Sequence, residues 1–186
     1  MNRIFCLETE WDQTVQDLKR KPTVLSLLEF MEGAIKVPHV FRQVATREDF
    51  RYYIGHLEQA AYNAYDIVYL CFHGAKGLIE FADHTRYSLE EFAGDYPDIF
   101  DGRTVIFDSC STLRLDEDTV GDFKKSTGAR LVVGYGRKVA FAKSFVFELW
   151  LLNALAEHPD FGAQRLMALA EKEMPEHVKS LRFKAY

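Results

Sequence analysis

The chain has 186 residues, 48% of them hydrophobic and 27% charged, which excludes disorder and fibrous repeats and fits one domain over residues 1–186 with a core of its own. The net charge of −5 and basic runs no longer than Lys19-Arg20-Lys21 argue against a nucleic-acid partner. A membrane span needs roughly 20 apolar residues, and Phe141–Leu155 is interrupted by Lys143, Ser144, Glu148 and Asn153.

Acidic Glu8, Glu10 and Asp12 leave no signal-peptide stretch, so a cytoplasmic protein without a membrane partner is expected. The odd set Cys6, Cys71 and Cys110 argues against a disulfide framework.

In chain order, Arg3–Glu8 reads as a first strand. Val24, Leu25, Leu27, Leu28 and Met31 keep a helical period, with Pro22 suited to the first turn and Gly33 to the end. Val37–Ala45 reads as a second strand. Thr46 and Asp49 form a weak capping box for a helix facing inward with Phe50, Tyr53, Ile54, Leu57 and Ala61.

Asp66–Phe72 is a nearly continuous apolar run, as expected of a strand covered on both faces. Gly77–Phe81 suits half of a hairpin, and Ser88–Phe92 a brief helix capped by Ser88. Arg103–Asp108 and Leu131–Tyr135 are further core strands. Asp116–Lys125 is a polar helix. Phe141–Ala156 is apolar on most sides, and its Trp150 and phenylalanines are expected against the sheet. Asp160–Met174 is a last amphipathic helix before a polar tail. About five core strands and six helices in alternation predict an α/β domain with a mostly parallel sheet.

Open α/β sheets place ligands at the carboxyl ends of their strands. Glu8 and Glu10 follow the first strand, His73-Gly74 follow Asp66–Phe72, Ser109-Cys110-Ser111-Thr112 follow the TVIFD run, and Gly136-Arg137 follow LVVGY. A histidine and a cysteine thus emerge at one sheet edge. A thiol of pKa about 8.5 gains as a nucleophile from a neighbouring imidazole, which also protonates a leaving amine. Gly74, lacking a Cβ, lets a carbonyl approach, and the Gly74 and Cys110 amides are candidate oxyanion donors. The structural alternative is a buried cysteine and a histidine that caps a carbonyl.

Cys6 and Cys71 lie inside strand patterns and read as core. His39, His56, His84, His158 and His177 read mostly as solvated surface. No CxxC or paired-histidine spacing suggests zinc, and no Walker loop or GxGxxG suggests a nucleotide, so no cofactor or metal is expected.

FHG at 72–74 and DSCST at 108–112, each after an apolar strand, resemble the caspase-like cysteine peptidases. The likeness is nearest to the metacaspase, paracaspase and CHAT branches. Gly128-Ala129-Arg130, LVVGY and the long apolar helix follow in the CHAT order. The resemblance spans roughly residues 66–156 and implies a caspase-like three-layer fold, with Cys110 as nucleophile, His73 as general base and acid, and Gly74 at the oxyanion hole. It further implies Asp108, joined by Glu8 or Glu10, as a carboxylate pocket for a basic P1 side chain of a protein or peptide substrate. Regulation or defence is the implied role, with a regulatory protein partner. The alternative for Asp108 is a cap on the following helix.

Three features depart from the family pattern. His73 and Cys110 are 37 positions apart, against about 50 in caspases. Ser-Thr-Leu follows the cysteine where metacaspases have His-Ser-Gly, and no prodomain or second subunit is evident. These leave open a binding or scaffold module without turnover. A flavodoxin-like or receiver-like domain would need an acidic cluster or phosphate loop after the first strand, of which Glu8 and Glu10 give a faint version.

Overall fold

The computed structural model describes residues 3–11, 24–139 and 141–186. Its strands are β1 (Ile4–Thr9), β2 (His39–Val44), β3 (Ile67–Ala75), β4 (Leu78–Glu80), β5 (Arg86–Ser88), β6 (Thr104–Ser109), β7 (Leu131–Tyr135) and β8 (Phe183–Ala185). The described helices are α1 (Leu25–Ile35), α2 (Arg47–Ile54), α3 (Leu89–Asp95), α4 (Glu117–Thr127), α5 (Phe141–Glu157), α6 (Ala163–Glu173) and α7 (Pro175–Leu181). The main sheet runs β2-β1-β3-β6-β7-β8, parallel except for β8, and the β4–β5 hairpin branches from the end of β3.

Alternation along the strands builds two cores. Val68, Leu70 and Phe72 of β3 face α2, α3 and α4 through Phe50, Phe92 and Phe123. Ile67, Tyr69 and Cys71 face the opposite layer, where Leu28, Leu151, Leu166 and Leu181 come from α1, α5, α6 and α7. The result is a three-layer α/β/α domain, as the strand and helix alternation predicts.

Local signals hold at several termini. Thr46 accepts from the Asp49 amide at 3.2 Å and Asp49 accepts from the Thr46 amide at 3.2 Å, a full capping box. Ser88 accepts from the Glu91 amide at the start of α3. Pro22 lies outside the described residues.

Other expectations need correction. Helix α1 passes Gly33 and ends at Lys36, whose φ of 62° makes it the left-handed cap. The face through Ala61 is not one helix: α2 stops at Gly55, and two 3₁₀ turns, Gly55–Glu58 and Ala60–Tyr62, continue it. The polar tail is ordered as α7 and β8, anchored by Leu181 and Phe183 at 2% and 4% exposure, with Val178 and Ala185 packed beside them.

In α5, Phe147 is buried but Val146 is 53% exposed, and the Trp150 indole donates to Glu173. That helix therefore also packs laterally on α6. His39 lies in β2 and only His84 of the five secondary histidines is exposed; the others are half-buried.

Candidate active site

Parallel pairing of β3 with β6 runs from Ile67↔Thr104 to Phe72↔Ser109. His73 and Cys110 are the next residues on the two strands, so the sheet delivers them to one edge. A small cleft of about 110 Å³ opens there, lined by Trp11, His73, Asp108, Cys110, Val139 and Ser144 among others.

His73 is exposed and stands where β3 leaves β6 and begins antiparallel pairing with β4. Its Nε2 lies 2.8 Å from the Trp11 carbonyl oxygen. A carbonyl only accepts, so Nε2 carries the hydrogen and Nδ1 is the nitrogen left to take a proton. The Trp11 ring meets the imidazole edge-on at 5.0 Å. Cys110 is half-buried, and the Val139 amide donates to its Sγ at 3.4 Å. Among the described residues no hydrogen bond joins His73 to Cys110.

Gly74 serves a purpose that the sequence reading did not give it. A Cβ there would run into Thr112 Oγ1 and stand 2.7 Å from the Cys110 carbonyl and 2.9 Å from Ser109 Cβ. The missing side chain lets the cysteine loop seat against β3. Ala75 and Leu78 flank a two-residue turn, and the alternation of an antiparallel ladder turns the Gly74 N–H away from β4. Thr112 then locks the loop, accepting from Ser109 Oγ at 2.7 Å and donating to the Leu78 carbonyl at 3.0 Å. Ser111, with φ of 60°, makes the sharp turn directly after the cysteine.

Asp108 walls the cleft with its carboxyl set deep. It caps no helix; Asp116 caps α4. Tyr69 Oη lies 3.3 Å from Asp108 and 2.7 Å from Glu148, and Tyr135 Oη donates to Glu148 at 3.1 Å. Burial first, and the neighbouring Glu148 second, hold the Asp108 carboxyl well above the usual range. Burial likewise pushes the Tyr69 and Tyr135 hydroxyls well up, so both stay donors.

Glu8 is not past the first strand but within β1, fully buried, and accepts from the Trp11 indole at 2.7 Å. It braces Trp11. Cys6 and Cys71 are buried in the core, and burial raises both thiols, which suits inert cysteines. Among the described residues no trio of His, Cys, Asp or Glu is arranged to hold a metal ion.

Sequence reasoning missed Trp11, Val139 and Glu148. Trp11 lies one residue beyond the strand-end segment Glu8–Glu10. Glu148 was visible as an acid in the middle of an apolar helix, a pattern that marks a carboxylate with buried partners.

The model of a family of unknown function, DUF6642, matches residues 1–186. No curated protein matches the sequence. Among solved structures, caspase-1 from Spodoptera frugiperda is similar with a TM-score of 0.43 and 15% identity over 72% of this chain. The match spans 58% of that caspase chain. No described helix is long and apolar enough to cross a membrane.

Proposed function

We propose that this chain, which belongs to the DUF6642 family, is a cysteine endopeptidase that cleaves after a basic residue. The observation that supports it is the convergence of Cys110, His73 and Asp108 on one cleft at the carboxyl edge of adjacent parallel strands. In this reading His73 Nδ1 takes the Cys110 proton, and the sulfur attacks the scissile carbonyl. The amides of Gly74 and Cys110 receive the oxyanion. His73 returns the proton to the leaving amine, giving an acyl-thioester. Water, deprotonated by the same imidazole, then releases the acid and the free thiol. The Trp11 carbonyl fixes the imidazole tautomer throughout.

A basic P1 side chain fits beside Asp108. The incoming cation supplies the charge that the paired carboxyls lack, and draws the proton off Asp108. The regulatory or defence role implied by the motif resemblance belongs to this same proposal, as do the cytoplasmic setting and the regulatory partner.

The test is labelling of Cys110 by peptidyl electrophiles with Arg, Asp or Leu at P1. Selective labelling by the Arg probe is expected, absent in Cys110→Ala and reduced about 10²–10⁴-fold in His73→Ala. One observation favours a second reading, a caspase-like binding module without turnover: His73 bonds Trp11 and not Cys110. That reading predicts iodoacetamide alkylation of Cys110 no faster than of a free thiol, and unchanged in His73→Ala.

A further inference from the structure

We infer that a basic groove beside the cysteine loop docks an acidic segment of a protein partner. The groove, of about 430 Å³, is lined by Arg114, Leu115, Gly136, Arg182, Phe183 and Lys184. Arg114 and Arg182 are exposed, and Lys184 is held in place by donating to the Leu115 carbonyl at 3.1 Å. Arg137 and Lys138, both exposed, follow Gly136 directly. Among the described residues none of these five cations is in an ion pair. This concentration of unpaired positive charge stands on a chain of net charge −5.

Of the acids that follow Leu115 in sequence, Asp116 accepts from the Thr119 amide as the cap of α4, and Glu117 and Asp118 stand in the first turn of that helix. Leu115 and Phe183 give the groove an apolar floor between its cationic walls. Those features fit a peptide bearing carboxylates and apolar side chains better than a phosphate backbone, which asks for an extended basic face.

The groove and the cleft draw on the same two loops, Cys110 and Val139 lining the cleft and Arg114, Leu115 and Gly136 the groove. The Ser111 amide donates to the Arg137 carbonyl at 3.0 Å, and the Gly136 amide donates to the Arg182 carbonyl at 3.0 Å. The residue 110–115 and 136–139 loops therefore face the cysteine on one side and the groove on the other. A segment docked on the basic side lies next to the cleft. That the docked protein is also the substrate rests on the peptidase reading; the docking itself does not.

The test uses full-length Cys110→Ala protein and a fluorescein-labelled peptide of alternating glutamate and leucine, with its glutamine analogue as control. The glutamate peptide should bind on the order of tenfold more tightly, and added salt should weaken it. Arg114→Glu with Arg182→Glu should abolish that preference with the melting temperature unchanged. Should that pair disturb folding, Arg114→Gln with Arg137→Gln should still reduce it. Equal binding of the two peptides, binding insensitive to these substitutions, or preference for a single-stranded oligonucleotide would each overturn the inference. The Cys110→Ala protein binds without turnover, so a chain lacking peptidase activity would leave this result intact.

Discussion

Asp108 and Glu148 are two acids kept close under the cleft, with one tyrosine hydroxyl bridging them. Tyr69 has a single proton to donate, so two ionised carboxylates there would repel with too few donors between them. The pH consequence follows from linkage. Below about pH 4 the carboxyl is protonated both folded and unfolded, and nothing is lost. Above that, the unfolded chain releases its proton first, so this pair's share of stability falls as pH rises towards the elevated folded value. Asp108→Asn should therefore raise stability at pH 8 by about 1 kcal/mol, roughly 3 °C in Tm, and the gain should shrink towards pH 4. Thermal melts across that range check it. The same variant should lose the Arg-over-Leu probe preference by about tenfold or more while small neutral electrophiles still reach Cys110.

At the scale of elements, the site depends on how closely two strand ends approach. Gly74→Ala places a methyl where Thr112, Ser109 and the Cys110 carbonyl already stand. It should cost about 1–3 kcal/mol and displace the cysteine loop, with labelling of Cys110 falling more than the stability loss accounts for. Denaturant unfolding beside probe kinetics separates the two effects.

Much of this arrangement was legible in the sequence. The runs before His73 and Cys110 gave the strands, and the alternation with helices gave parallel neighbours, hence a shared edge. The purpose of Gly74 was not legible, because its contacts come from a loop more than thirty positions away. Nor was the burial of Glu8: an acid ending an apolar run reads as a strand end unless the indole that donates to it is known to fold back.

For the molecule as a whole, β8 closes the sheet beside β7 and also floors the basic groove. Phe183 packs on Phe147 at 4.8 Å between ring centroids and on Tyr135 at 6.5 Å. Phe183→Ala should cost about 3–5 kcal/mol, a large share of the roughly 5–15 kcal/mol that holds a domain together, and chemical denaturation would show it. This closure escaped sequence reasoning because its apolar residues, Val178, Leu181, Phe183 and Tyr186, are interleaved with charged and polar ones and keep no long run. The two tryptophans divide the molecule in another way. Trp11 lines the cleft, while Trp150 lies against α6 with its indole on Glu173. Replacing Trp150 by phenylalanine would leave the cleft with its own intrinsic fluorophore. Occupancy by any peptide, cleaved or not, would then be visible as a change in emission colour or intensity, with no label attached and no turnover required.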